Sequence, residues 1–375
     1  MSYFESRGGK FDNVVFFGLQ YILKKWLTEP ITRSMIEEAK ELFKDHFPDN
    51  QDIFNAKGWE HILEHHNGYL PLSIKAVPEG TRVPVKNVLF TVESTDPEVA
   101  WLTNYVESLL DQCWYPMTVC TQSFEQKLIL KKFMTETCDD LAGLDSKLTD
   151  FGFRGCSSAE SGGIGGCSHL ACFTGSDTLQ AILVAKKYYN AKSMPAFTIP
   201  AAEHSTITTW GPGQGEHDVV RHILDQVPTG PVSIVADSYD LWNFIDNVVG
   251  GQDLKEIIKD RQGVFVLRPD SGDPSETLLK TLTKLSDVFP PTRNSKGYKV
   301  LPKFIRVIQG DGISIESLQQ ICHDLQKAQF SLDNVVFGSG GALLQKLNRD
   351  TQRCAYKCCL AIIDGNTVIN FNYLF

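Results

Sequence analysis

The sequence predicts an α/β protein: a TIM-like irregular parallel α/β barrel over residues 111–375, with an additional α+β N-terminal domain over residues 1–110. Three observations carry that reading. From residue 148 onward one theme recurs seven times: a short apolar run, a polar loop, then a helix-period segment. The repeats are spaced by roughly 20–40 residues, the rhythm of strand–helix units around a parallel barrel. Runs such as Val264–Leu267 are apolar without alternation, as a strand covered on both faces requires. Ahead of residue 110 the period is different, with amphipathic helices followed by short strands and turns.

In order, residues 13–28 place Val14, Phe17, Leu19, Tyr21, Ile22 and Trp26 at helical spacing. A second helix follows Thr32, and a third runs from Asn55 to His65 with Trp59, Ile62 and Leu63 on one face. Residues 72–77 and 88–92 read as antiparallel strands. Residues 98–142 are helical. The strand units then begin at Leu148–Phe151, His169–Phe173, Ala196–Pro200, Val232–Val235, Val264–Leu267, Phe304–Ile308 and Val335–Phe337, each ending in a loop rich in Gly, Asp, Arg or His. Ala361–Asn370 reads as a hairpin.

Composition narrows the function. Hydrophobic residues are 42% and charged residues 22%, ordinary for a globular protein. A net charge of −9 offers no basic footprint for nucleic acid or an anionic membrane, and no apolar run approaches the ~20 residues of a membrane span. Ten cysteines contain no CxxC pair, which fits reduced thiols in a cytoplasmic protein.

In parallel barrels the site lies at the strands' C-terminal ends, where these loops fall. Arg268-Pro-Asp270 sets a cation two residues from a carboxylate, just before a helix opening at Ser275-Glu276. That pairing suits a ligand with both a phosphate and sugar hydroxyls, or a Mg²⁺; a structural Arg–Asp ion pair is the competing reading. Gly338-Ser-Gly-Gly341 and Gly310-Asp-Gly312 are candidate anion cradles, although glycines also permit close packing. Neither is a GxxxxGK[ST] loop. Phe151 at a barrel mouth can stack a flat ring or belong to the core. Asp177 can cap the helix from Leu179 or bind an amide. Glu203-His204 can serve acid–base or phosphoryl-acceptor chemistry, or structure.

The motifs Asp150-Phe-Gly-Phe-Arg-Gly155, Pro200-Ala-Ala-Glu-His-Ser-Thr206, Asp237-Ser-Tyr-Asp240, Arg268-Pro-Asp-Ser-Gly272, Arg306-Val-Ile-Gln-Gly-Asp-Gly312, Gly338-Ser-Gly-Gly341 and Leu343-Leu-Gln-Lys346 together resemble the nicotinamide phosphoribosyltransferase family. The similarity runs from Tyr3 to about Cys358. It implies transfer of a phosphoribosyl group from phosphoribosyl pyrophosphate to nicotinamide in NAD salvage, by a homodimer whose protomers share active sites. On that resemblance Phe151 stacks the pyridine and Asp177 binds its carboxamide. Arg154, His204 and Arg268 face the pyrophosphate. Asp270 and Asp311 hold ribose hydroxyls, and Gly310 and Gly341 the 5′-phosphate. Arg349 and Lys357 serve the partner subunit's phosphate entrance. His204, Asp270 and Arg268 carry the catalysis. Mg²⁺ would sit at Asp240 and Asp270, and ATP would phosphorylate His204 as an optional coupling nucleotide.

The chain departs from the family pattern at Ser146 (tyrosine in the family), Thr149 (histidine), and Ala236 and Ala355 (serines), all expected at the rim of the site. The family's Asp-Ser-Tyr-Lys segment, whose tyrosine covers the pyridine from the other subunit, would precede Met1. Family residues would also extend beyond Phe375, and Asn370–Phe375 matches nothing in the family, so the resemblance implies a chain cut at both ends. The alternatives are a nicotinate phosphoribosyltransferase, or an inactive paralogue acting as a binding or dimer partner.

Overall fold

The structure, a computed structural model, describes residues 1–50 and 52–369, so Asn370–Phe375 and the last residue of the expected hairpin lie outside the described residues. It divides into two compact units. The first takes Met1–Thr121, Lys186–Asn190 and Leu347–Phe375; the second takes Gln122–Ala185 and Ala191–Lys346. This division differs from a cut at residue 110, because Cys354–Cys358 adds an antiparallel edge strand beside Ser2–Ser6, with Ser2 opposite Cys358.

In the first unit a four-stranded antiparallel sheet runs Cys354–Cys358, Ser2–Ser6, Val88–Ser94, Leu72–Ala76. Phe4 lies opposite both Phe90 and Tyr356, and the Phe4 and Phe90 rings stack at 4.8 Å. Helices Arg33–His46 and Ala56–His65 start where expected, capped by Thr32 and Asn55 side chains on the Met35 and Gly58 N–H groups. Ile36, Trp59, Ile62, Val99 and Leu102 form a buried cluster. The helix expected from residue 13 is corrected. Asn13–Val15 is a strand paired with Arg82–Pro84, and helix starts only at Leu19. Gly18, at φ 106°, breaks the pattern, since a Cβ there would come within 2.2 Å of Pro116.

The second unit carries six parallel strands in the order Gly175–Ser176, Leu148–Asp150, Val335–Ser339, Ile305–Gln309, Gln262–Arg268, Thr229–Val235. The stretch 197–202 joins the two edges of this sheet. The Phe197 carbonyl accepts from Ser176 N at 3.1 Å, and Ala202 N donates to Ser233 O at 2.9 Å. The sheet thereby curls into the expected irregular barrel. Helices Pro274–Val288 and Ile315–Lys327 follow their strands, capped by Asp273 and Ser314.

A strand over His169–Phe173 is not what forms. Ala159–Leu170 is a helix containing His169, and the strand is the two-residue Gly175–Ser176. The helix has a Ser158–Ser161 capping box, but its glycines mask the helical period. They serve close packing. A Cβ on Gly166 would meet Ala181 Cβ at 2.8 Å and Asp150 Oδ2 at 2.9 Å.

Gly166→Ala therefore sets two effects against each other. Helix propensity favours alanine by about 1 kcal/mol, while overpacking costs roughly 1–3 kcal/mol. Because backbone-anchored Ala181 and a buried carboxylate cannot swing away, packing wins. Urea unfolding should show Gly166→Ala destabilised by ~1–2 kcal/mol. A stabilised variant would mean that the helix is not seated this tightly.

Candidate functional site

Residues 264, 266 and 268 alternate inward along one strand, and all three line a cavity of about 350 Å³ inside the second unit's barrel. At the strands' C-terminal ends the cavity is bounded by Phe151, Asp177, Thr198 and Arg268. Toward the N-terminal ends it meets Ser146, Pro231 and Arg306.

Phe151 follows the Leu148–Asp150 strand, and its N–H donates to Ser339 O at 2.9 Å. Its ring lies across two neighbouring strand ends. A Cβ on Gly338 would come to 2.0 Å of Phe151 Cε2, and one on Gly310 to 3.2 Å. These two glycines thus make room for the ring. Gly341 has nothing within 4 Å of where its Cβ would stand, apart from its own neighbours, and keeps the open backbone an anion cradle needs. Gly155, which follows Arg154, lies against it.

Asp177 lines the cavity, and its Oδ1 accepts a hydrogen bond from Thr198 Oγ1. The neighbouring turn is tied by Ser176 Oγ, which accepts from Thr178 N at 3.1 Å. Burial pushes the Asp177 carboxyl up; Thr198, Arg268 and Arg154 oppose it. Such a carboxylate is ready to accept N–H donors and poorly suited to another carboxylate.

Arg268 closes its strand with Nη2 3.6 Å from Asp270 Oδ2, and its buried Nε has no hydrogen-bond partner among the described residues. An ion pair alone leaves that donor orphaned; an anionic ligand would satisfy it. Burial raises Asp270, against the pull of Arg268, with Asp237 and Asp311 adding to the rise.

The residue missed from sequence is Asp237. Its carboxylate, 5% exposed, accepts from His204 Nε2 at 3.0 Å, from Asp270 N at 3.1 Å, and from Ser271 Oγ. Burial works to raise its pKa, but the bonds from Ser271, His204 and the Asp270 N–H outweigh it and hold the group below the ordinary carboxylate range. The available signal was its place as the first acid after the Thr229–Val235 strand. Asp240, the expected metal ligand, instead caps a helix: its Oδ1 accepts from Trp242 N and Asn243 N. Buried Asp150 was also missed; it accepts from Gly152 N at 2.7 Å and anchors the Phe151 turn.

His204, Asp237, Arg268 and Asp270 therefore come together, as do Phe151 and Gly310. Asp311 is within electrostatic reach of Asp270, and Arg154 of Asp177. Arg349 and Lys357 belong to the first unit; Arg349 Nη1 pairs with Asp111 Oδ2 at 3.3 Å and Lys357 lies opposite Tyr3 in the sheet. Of the four departures, Ser146 and Thr149 line the cavity, Ala236 is buried after the Thr229–Val235 strand, and Ala355 lies opposite Glu5 in the first unit's sheet.

The chain matches the model of the Nicotinate phosphoribosyltransferase (NAPRTase) family over residues 146–370, and that of the Nicotinamide phosphoribosyltransferase, N-terminal domain, over residues 1–74. It is similar to a Nicotinamide phosphoribosyltransferase of Xanthomonas campestris, with 46% identity over 366 residues, covering 97% of this chain and 76% of that protein. It is also similar to a Nicotinamide phosphoribosyltransferase of Acinetobacter baylyi, at 32% identity over 94% of this chain and 74% of that one. The solved structure of human Nicotinic Acid Phosphoribosyltransferase superposes with a TM-score of 0.56 at 18% identity, over 90% of this chain and 68% of that chain, a likeness of fold.

Replacing Asp237 by Asn removes a charge that three donors address. Hydrogen bonds to a charged group are worth about 1.5–3 kcal/mol, so Asp237→Asn should destabilise by roughly that at pH 7. Because the folded-state pKa is depressed, the stabilisation is present above the unfolded value and is lost as pH falls through the folded one. Unfolding curves of the two proteins should therefore converge below about pH 4. A pH-independent gap would assign the loss to packing.

Proposed function

The chain belongs to the nicotinamide phosphoribosyltransferases within the nicotinate phosphoribosyltransferase (NAPRTase) family, and we propose that its barrel site performs that family's reaction. It transfers the 5-phosphoribosyl group of phosphoribosyl pyrophosphate to nicotinamide, giving nicotinamide mononucleotide and pyrophosphate. The observation that carries the assignment of residues to roles is the orphaned Arg268 Nε beside a cavity that also holds the Asp177 carboxylate.

The pyridine nitrogen forms a bond to C1 of the ribose as the C1–oxygen bond breaks, and pyrophosphate leaves with the electron pair. Positive charge builds on the ribose and negative charge on the leaving group. The protein's part is position and charge stabilisation, with no covalent link to the sugar. Phe151 stacks the pyridine, and Asp177, held by Thr198, accepts the carboxamide N–H. Arg154, His204 and Arg268 face the pyrophosphate; Asp270 and Asp311 take the ribose hydroxyls, and Gly310 and Gly341 the 5′-phosphate.

Half-buried Asp270 beside Asp311 is a hard-oxygen set that suits Mg²⁺, which when bound would neutralise charge on the pyrophosphate. Asp240 contributes to that site only through what its capping role leaves over. His204, whose Nε2 faces Asp237, is the group we assign to phosphorylation by ATP, with Asp237 favouring the tautomer protonated on Nε2.

A homodimer is the assembly we assign, in which Arg349 and Lys357 serve the neighbouring copy's phosphate entrance. It is supported by Leu179 and Leu183, one turn apart, and by Phe197 in the segment that closes the barrel, all more than half exposed. No helix among the described residues is long and apolar enough to cross a membrane. The compartment we assign is the cytoplasm, supported by ten free cysteines.

Assaying nicotinamide mononucleotide formation with Mg²⁺, phosphoribosyl pyrophosphate and either nicotinamide or nicotinate tests the reading. Nicotinamide should be preferred, and Asp177→Asn should narrow the preference, since a mismatched buried polar pair is worth ~1–3 kcal/mol, or roughly 5- to 150-fold. Equal use of both bases by the unmodified protein would overturn the role of Asp177. Separately, Arg268→Ala should weaken phosphoribosyl pyrophosphate by ~1.5–3 kcal/mol while leaving nicotinamide nearly untouched. Equal losses for both ligands would reduce Arg268 to a structural partner of Asp270.

A further inference from the structure

Within the first unit, two imidazoles and a carboxylate converge on one point. His61 lies in the second half of the Ala56–His65 helix. His66 follows that helix, its N–H donating to Ile62 O at 3.0 Å. Asp96 caps the short turn Pro97–Val99. Nε2 of His61 and Nε2 of His66 each stand 2.7 Å from the same atom, Asp96 Oδ2. The other carboxylate oxygen accepts the Glu98 N–H at 3.0 Å, which fixes the plane of the group. All three ligand atoms lie within 4.8 Å of one another, and all three residues are partly buried. Hydrogen bonds from His66 and His61 hold the Asp96 carboxyl far below its ordinary range, so it is anionic at any neutral pH.

We infer that His61, His66 and Asp96 form a binding site for a first-row divalent cation, Zn²⁺ foremost. Two imidazole nitrogens and one carboxylate oxygen are ligands that zinc takes, and three protein ligands leave a further position for water. Mg²⁺ and Ca²⁺ call for oxygen-rich sets and do not fit. Tetrahedral zinc with bonds of roughly 2.0–2.1 Å needs ligand atoms about 3.3 Å apart, so each 2.7 Å contact opens by a few tenths of an ångström. Binding replaces the two hydrogen bonds. A neutral ring moves its proton from Nε2 to Nδ1, and a doubly protonated ring releases one. The Glu98 N–H already supplies the outer bond that orients a metal-bound carboxylate. The His65 ring, stacked on His61 at 4.2 Å, restricts the rotation of that imidazole. The ion would tie the end of one helix to the start of the next turn across the cluster of Trp59, Ile62 and Val99, so its effect is on the stability of this unit.

Co²⁺ is the probe, added to the full chain after stripping with a chelator. The unmodified protein should bind one Co²⁺ per chain with visible ligand-field bands and no near-ultraviolet thiolate bands. Zn²⁺ should displace it and raise the melting temperature. Outer-shell losses already cost 10- to 100-fold in metal affinity, so His66→Gln and His61→Gln should each weaken binding by at least about tenfold. X-ray absorption of the zinc-loaded unmodified protein reads the nitrogen and oxygen shell without any variant. Absence of binding, strong thiolate bands, a sulfur shell, or undiminished affinity in the His61→Gln/His66→Gln double variant would each overturn the site.

Discussion

One carboxylate ties together loops at the C-terminal end of the barrel. Asp237 accepts from the loop before it, through His204, and from the loop after it, through Asp270 N and Ser271 Oγ. His204 follows the 197–202 segment, and Asp270 and Ser271 both follow the Gln262–Arg268 strand. Buried in that way, a carboxylate is costly unless every oxygen is addressed, and here both are. The same bonds fix the ring of His204 and the backbone on which Asp270 sits. Loops that would otherwise wander independently are set by a single charge.

A second carboxylate repeats the device across the barrel. Asp150 takes the Gly152 N–H, and the Phe151 turn follows from it. The barrel's cavity has walls made of inward residues of alternate strand positions. Barrel interiors of this size are ordinarily filled by branched side chains. Here Gly175, Ser233, Thr149 and Ala201 line the space, and Arg268 reaches in from the top. Small residues on the wall and the orphaned Arg268 Nε at its rim are the signature of a space kept for a ligand.

Much of this was legible in the sequence, because strands covered on both faces and capped helices write themselves locally. The Arg268-Pro-Asp270 ending, the helix opening near Ser275-Glu276 and the antiparallel strands near residues 72–94 follow from short-range rules. What was not legible depends on partners distant in the chain. The Ala159–Leu170 helix was hidden because its glycines answer to Phe153, Val184 and Asp150, not to helix propensity. Gly338 and Gly310 read as phosphate cradles, and the second use of their missing Cβ atoms, room for Phe151, shows only in the fold. Asp237 and Asp240 look alike in sequence, and only tertiary burial separates a hub from a cap. His61, His66 and Asp96 carried no signal, since 30 residues separate the last two.

The stretch 197–202 is the lightest stave of the hoop, tied by single backbone bridges instead of a full ladder. Thr198, which holds the Asp177 carboxylate, sits near one end, and His204, which holds Asp237, lies just past the other. Asp177 and Asp237 thus hang from opposite ends of one short segment. The seam of the barrel therefore sets both carboxylates at once, and a substitution that shifted its backbone would move the two together.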